Sequence, residues 1–469
     1  MSSAEDIALR CVFPGFEGTT APDWVLRAAE RGLGGVVLFA RNVGDAEKLR
    51  SLVGRLHEAR PGLLVTIDEE GGDVTRLESR TGSSYPGNLA LGAAGDPALT
   101  EGVARAIGRD LAAYGIDLDL APVADVNTDP RNPVIGVRSF GSNPDEVATH
   151  TAAWVRGLQG TGVAACAKHF PGHGATSADS HLELPVGEPE LRPFEAAIAE
   201  GVRAVMSAHI VVPGIDDAPA TISPGVMTGL LRGELGFDGL AISDGLDMRG
   251  ISGERGIASA AVLAVRAGCD ALCVGGGPTG PEIVAEIVDA LKAGVGVRRL
   301  AEAAGRVDAL AAWRAAQTSD SPDHPGKSGA EMPVGRDYQG IGLVAARRAL
   351  SVFGDVRVRD HAVVMRFASP PSIAAGEVPW GMAASLFRRG VEVGKDAEQP
   401  GASLVLVVRD LHRHADQRNA VDALLARRPD AIVVEMGVPS CRPRGAKSYV
   451  VTHGAARVCA DAAAEAMRP

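Results

Sequence analysis

Aromatic residues make up only 4% of this 469-residue chain, too few for the core of an aromatic-rich sandwich. No stretch reaches the roughly eighteen uninterrupted apolar residues of a membrane span. The opening residues, MSSAEDIALRCVF, lack the basic start and long apolar run of a targeting leader. There is no long run of Lys or Arg, and the net charge is −11, which argues against nucleic-acid and anionic-membrane partners. Cysteine is sparse: six residues lie scattered, mostly in apolar runs. Cys269 and Cys273 are spaced C-x3-C without a second Cys or His pair, so no zinc site is expected. Buried thiols in a reducing compartment fit this usage better. No G-x-G-x-x-G turn follows the first strand-like run, which removes the dinucleotide fingerprint. The expectation is a soluble, cytoplasmic protein, a monomer or homodimer, with no metal or other cofactor.

Small residues are plentiful, with 58 glycines and long Ala-rich tracts, and 46% of the chain is hydrophobic. Both suit closely packed layers of helix on strand. Eight short apolar runs read as strands: 8–13, 35–39, 63–67, 116–121, 163–167, 204–207, 239–242 and 271–274. Segments of helical length separate them, among them 22–31, 46–60, 99–113, 145–160 and 191–201. This alternation predicts an α/β fold, a (β/α)8 TIM barrel over residues 1–316, with an open doubly wound sheet as the structural alternative. Residues 317–335, QTSDSPDHPGKSGAEMPVG, have linker composition. A smaller α/β layered domain is expected over 336–469. Its predicted strands are 362–367, 403–408, 431–435 and 448–452.

The stretch Lys168–Pro185, KHFPGHGATSADSHLELP, carries three of the chain's eleven histidines within thirteen residues. It follows an apolar run, so Lys168 and His169 fall at the carboxyl end of a strand, where such barrels place their chemistry. Other polar groups recur at strand ends: Asp68 and Arg76, Arg138, His209 and Asp244. Taken singly, each has an ordinary structural role, such as a helix cap or surface ion pair. Together, carboxylates, Arg and Lys without a cofactor motif suit a neutral polyhydroxyl ligand such as a sugar. An extended Asp179-Ser180-His181 puts both side chains on one side, where Asp179 orients the imidazole for proton transfer.

Four segments carry a specific resemblance: KHFPGHGATSADSHLELP, IDEEGGDVTRL (67–77), VIGVRSFGSNP (134–144) and ELGFDGLAISDGLDM (234–248). In this order they resemble family 3 glycoside hydrolases, specifically the NagZ-type β-N-acetylglucosaminidases, over about residues 7–315. The resemblance implies a retaining enzyme that removes terminal β-linked N-acetylglucosamine from small carbohydrates such as peptidoglycan fragments, without a metal. It implies Asp244 as nucleophile, His181 as acid/base and Asp179 as its partner. It implies that Asp68, Arg76, Arg138, Lys168, His169 and His209 bind the sugar. A phosphorylase using phosphate as acceptor is the alternative, because a histidine acid/base does not repel an incoming anion. A sugar-binding barrel without catalysis fits poorly with an intact Asp179, His181 and Asp244, and a plain β-glucosidase fits poorly with the D-x-H loop. Asp73 and Gly245 depart from the family pattern. The second domain bears no catalytic motif and is expected to be a stabilising or dimer-forming appendage.

Overall fold

The computed structural model describes residues 3–176, 184–253, 255–276, 279–320, 340–369, 372–394 and 401–468. Asp179 and His181 lie outside these residues.

Eight parallel strands make the barrel: β1 (Val12–Pro14), β2 (Gly35–Leu38), β3 (Leu64–Ile67), β4 (Leu118–Asp119), β5 (Ala164–Phe170), β6 (Ala204–Ser207), β7 (Leu240–Ile242) and β8 (Leu272–Val274). β2 to β7 form one continuous sheet in sequence order. A bridge between Ile242 and Ala271 carries the sheet on to β8, and β8 pairs with β1. The first predicted strand, 8–13, begins instead as a helix, Ala4–Arg10. Ser3 and Asp6 form a reciprocal capping box there, and this local cap outweighs the β-leaning composition.

The helices between strands start where the sequence supplies caps. Asp96 accepts the Ala98 and Leu99 amides ahead of Pro97–Tyr114, and Asn143 accepts those of Asp145 and Glu146 ahead of Pro144–Gln159. Helix Val297–Asp320 continues past the predicted domain boundary, so 317–320 are helical rather than linker.

Alternation along each strand decides what faces the barrel axis. Leu64, Leu118, Ala164, Cys166, Ala204, Met206, Leu240 and Ile242 share the interior cluster. Val65, Ile67, Ala165, Ala167, Val205 and Ala241 pack outward against the helices. Continuing the inward phase of β3, β5 and β7 beyond the apolar residues reaches Asp68, Lys168 and Asp244.

The second domain is a six-stranded sheet: β9 (Ser351–Phe353), β10 (His361–Arg366), β11 (Glu392–Gly394), β12 (Ser403–Val408), β13 (Ile432–Glu435) and β14 (Ser448–Val451). Its order is β9-β14-β13-β12-β10-β11, parallel except for β9 against β14. The two short edge strands, β9 and β11, escape sequence reading because three residues show no period.

This domain docks on the barrel through small side chains. Ala90 and Ala94 of helix Asn88–Ala94 pack with Ala346, Ala349, Ala456, Cys459 and Ala462. Asp73 fastens the same seam: buried, it accepts the Ala455 amide at 3.0 Å and pairs with Arg409. Asp73 therefore serves the domain junction.

Candidate active site

At the carboxyl ends of the strands lies a cavity of about 350 Å³. Among its lining residues are Asp68, Arg76, Arg138, Lys168, His169 and Asp244. Six of the seven sequence-predicted residues that the structure describes are thus brought together.

The wall is an ion-pair network. Lys168 Nζ donates to Asp68 Oδ1 at 2.8 Å and lies 2.7 Å from Glu70 Oε1. Arg138 grips Glu70 with two bonds, Nε to Oε2 at 2.9 Å and Nη2 to Oε1 at 2.8 Å. Arg76 completes the row, 3.4 Å from Asp68 Oδ2. Burial alone would raise the Asp68 and Glu70 carboxyls, but the charges of Lys168 and Arg76, and of Arg138 and Lys168, outweigh it and hold both below the ordinary range. Burial alone would lower Lys168, and the same two carboxylates instead hold its pKa above its usual value. Asp68, Glu70 and Lys168 are therefore charged at neutral pH. Fixed charges of this kind meet a ligand's hydroxyls without reorganising.

Lys168 and His169 are neighbours, yet both line the cavity. A regular strand would turn one of them away. The pairing of β5 with β6 shifts here, with Lys168 opposite Met206 and Phe170 opposite Ser207, so His169 is bulged out of register. Asp125 then fixes the bulge. It accepts from His169 Nδ1 at 2.7 Å and from the amides of His169 and His173 at 3.2 and 2.6 Å. With Nδ1 donating to Asp125, Nε2 is turned toward Arg138 Nη2, 3.5 Å away.

Asp244 follows β7 on a loop with several anchors. Its Oδ1 accepts the Gly245 amide at 2.7 Å, the Leu246 amide donates to the Cys273 carbonyl, and Asp247 Oδ1 accepts the Gly275 amide at 3.1 Å. His209 is the exception among the predicted residues. It continues the outward phase of Val205 and Ser207, is buried, and is absent from the cavity wall. Its Nε2 donates to the Gly245 carbonyl at 2.9 Å, and its Nδ1 meets the Thr221 hydroxyl at 2.8 Å. His209 thus braces the loop that carries Asp244 from behind the cavity wall.

Sequence reading missed four contributors. Glu70 sits between the two basic residues it binds, although the IDEEGG segment was in view. Asp125 lies four residues beyond Ala121, where only its burial marks it out. Asp247 lines the cavity beside Asp244. The fourth contributor is the second domain, whose residues 373–377 form one side of the cavity. The Ala374 carbonyl accepts from Arg76 Nη2 at 3.0 Å. No sequence pattern signals a contact across nearly three hundred residues. The second domain is accordingly part of the site as well as an appendage.

Residues 20–310 match the family model described as the glycosyl hydrolase family 3 N terminal domain, well over half of the chain. The chain belongs to glycoside hydrolase family 3. A β-N-acetylglucosaminidase of this family from Paenibacillus sp. str. FPU-7 superposes with a TM-score of 0.88 at 31% identity, covering 99% of this chain and 96% of that one. Both domains therefore have counterparts in that structure. The β-hexosaminidase of Methylococcus capsulatus is 37% identical over 302 residues, which are 60% of this chain and 89% of that protein. The β-hexosaminidase A of Pseudoalteromonas piscicida is 38% identical over 284 residues, but the match spans only 54% of this chain and 47% of that relative.

Proposed function

We propose that this member of family 3 is a retaining exo-β-N-acetylglucosaminidase acting on small β-linked N-acetylglucosaminides, with cytoplasmic peptidoglycan fragments as its natural source of substrate. The observation that carries the reading is the convergence of Asp244, on the inward phase of β7, with the Asp68–Lys168–Glu70–Arg138 network in one small cavity. The names of the relatives, β-hexosaminidases and a β-N-acetylglucosaminidase, support the same substrate.

In the proposed reaction Asp68, Arg76, Arg138, Lys168 and His169 hold the sugar hydroxyls. An Asp244 carboxylate oxygen attacks the anomeric carbon as the bond to the leaving oxygen breaks. His181, oriented by Asp179, supplies that oxygen's proton. Water then gives a proton back to His181 and attacks the anomeric carbon, releasing Asp244 and the sugar with retained configuration. Arg76 Nε and His173 Nε2 are buried on the cavity wall without a hydrogen-bond partner among the described residues. Buried polar atoms rarely stay unpaired, so both suit contacts to a bound sugar.

Water suits this cavity better than phosphate. Five carboxylates (Asp68, Glu70, Asp244, Asp247, Glu377) face four cations (Arg41, Arg76, Arg138, Lys168), leaving no net positive charge for an anionic acceptor. The test is Asp244→Ala assayed on an aryl N-acetyl-β-glucosaminide with and without inorganic phosphate. The expected outcome is loss of at least about a thousandfold in kcat with an unchanged melting temperature. Undiminished turnover by the variant overturns the assignment, and a sugar 1-phosphate product replaces hydrolysis by phosphorolysis.

A further inference from the structure

Of the three histidines in Lys168–Pro185, the proposed reaction gives definite work to His169 and His181. His173 is the third. It is 1% exposed and lines the catalytic cavity. Its neighbours hold it firmly. The main-chain amide donates to Asp125 Oδ1 at 2.6 Å, and the carbonyl accepts from Asn132 Nδ2 at 2.8 Å. Ring Nδ1 meets the Thr176 hydroxyl at 2.8 Å. Nε2 alone has no hydrogen-bond partner among the described residues. Burial pushes the imidazole down from 6.5 to about 4, so a neutral ring stands in a wall of fixed charges. Such anchoring around one idle buried nitrogen suits a bond that forms only with substrate.

Two neighbours indicate which part of the substrate it meets. Asp244 is near enough for its charge to act on the His173 ring. In the proposed reaction the anomeric carbon lies against Asp244, so His173 is placed for a substituent beside that carbon. In this substrate that substituent is the acetamido group on carbon 2. The other neighbour is Val134, a buried apolar side chain on the same cavity wall. Asn132 ties it to His173. While Nδ2 of Asn132 holds the His173 carbonyl, its Oδ1 accepts the amides of Val134 and Ile135 at 2.9 Å each. One buried asparagine thus sets a polar ring nitrogen and an apolar side chain together.

We propose that His173 is a specificity-determining residue, its Nε2 bonding the amide of the 2-acetamido group while Val134 covers the methyl. The proposal rests on the glycosidase reading and deepens it. An acetamido group has the same division as this corner of the wall, a polar amide and an apolar methyl. The amide carries both a donor and an acceptor, so it answers Nε2 in either ring tautomer. A neutral partner for a neutral amide leaves the charged wall to the remaining hydroxyls. A substrate with only a hydroxyl on carbon 2 is shorter, brings no methyl to Val134 and leaves the buried nitrogen unpaired, which is how a polar site rejects an analogue.

The experiment uses calorimetry on the full chain with two iminosugars that differ only at carbon 2, 2-acetamido-1,2-dideoxynojirimycin and 1-deoxynojirimycin. The wild type is expected to bind the acetamido compound more tightly. In His173→Ala the Kd of the acetamido compound should rise about thirtyfold while that of its hydroxyl counterpart changes less than about threefold, and His173→Gln should recover part of the loss. A second arm leaves the histidine untouched: Val134→Ala should raise kcat/KM on an aryl N-propanoyl-β-glucosaminide, relative to the N-acetyl compound, by about fivefold. Equal binding of the two iminosugars by the wild type overturns the proposal even if no variant folds. Equal weakening of both in His173→Ala makes the residue merely structural and overturns it as well. An unchanged acyl preference in Val134→Ala overturns the methyl contact. Failure of the glycosidase reading looks different: the wild type then releases nothing from an aryl N-acetyl-β-glucosaminide, whatever it binds.

Discussion

Glu70 is the residue on which the site's electrostatics turn. It is 3% exposed and accepts from both Lys168 and Arg138. Glu70→Gln keeps the shape and removes the charge, leaving two buried cations to share Asp68. The loss should be about 3 kcal/mol in urea unfolding, because breaking a buried pair strands its partner in low dielectric. Its neighbour Glu69 behaves oppositely. Burial raises its carboxyl from 4.5 to about 7 despite the Arg76 and Leu77 amides that it accepts. The folded protein therefore holds this proton between those values while the unfolded chain releases it. Glu69's contribution to stability is full below about pH 4.5 and is lost as pH rises through about 7. Glu69→Gln should flatten that part of the stability profile, measured by chemical denaturation from pH 5 to 8. Asp68 has the reverse sign: its lowered pKa gives stability that is present above the ordinary 3.8 and lost as pH falls below it.

At the scale of elements, the strand phase and the β5 bulge do the positioning. The inward phase brings Asp68, Lys168 and Asp244 to one axis, and the bulge adds His169. The segment that follows is seated by glycine. A Cβ on Gly174 would lie 1.9 Å from the Val126 carbonyl oxygen, in backbone that has no room to give. Gly174→Ala should therefore shift the segment carrying His173 away from the Asp125 loop. It is expected to cut kcat on an aryl N-acetyl-β-glucosaminide by tenfold or more while the melting temperature falls only a few degrees. An unchanged kcat would mean that the segment's seating on Val126 is irrelevant to the chemistry. The Gly71-Gly72 pair works in the same way within IDEEGG. Both have positive φ, and a Cβ on Gly72 would meet Gly87 Cα at 2.4 Å.

At the scale of the molecule, the second domain closes one side of the cavity, and its docking is a requirement of the site. Helix Ile341–Ala349 approaches the barrel so closely that a Cβ on Gly342 would sit 2.1 Å from the Ser84 carbonyl. Gly342→Ala should loosen this seam, withdraw the Ala374 carbonyl from Arg76, and raise KM more than it lowers kcat. Limited proteolysis should then cleave between the domains faster than in the wild type. Equal proteolysis and equal KM would mean that the two bodies do not depend on this contact.

The linear chain determined the barrel, because hydrophobic period and helix caps are local, and seven of its eight strands fall where the apolar runs lie. It also put Asp68, Lys168, His169 and Asp244 at or just beyond strand ends, since charge at the end of an apolar run is legible without coordinates. Arg76 and Arg138, by contrast, lie in the loops after β3 and β4 and are read from the family resemblance. Three things were decided by tertiary structure alone. His209 turned to the helix side because strand alternation continues past Ser207. Glu70 and Asp125 became the partners of the basic groups because burial leaves a charge no alternative to pairing. The second domain entered the site because residues 373–377 fold against Arg76, a contact between segments that share no local pattern.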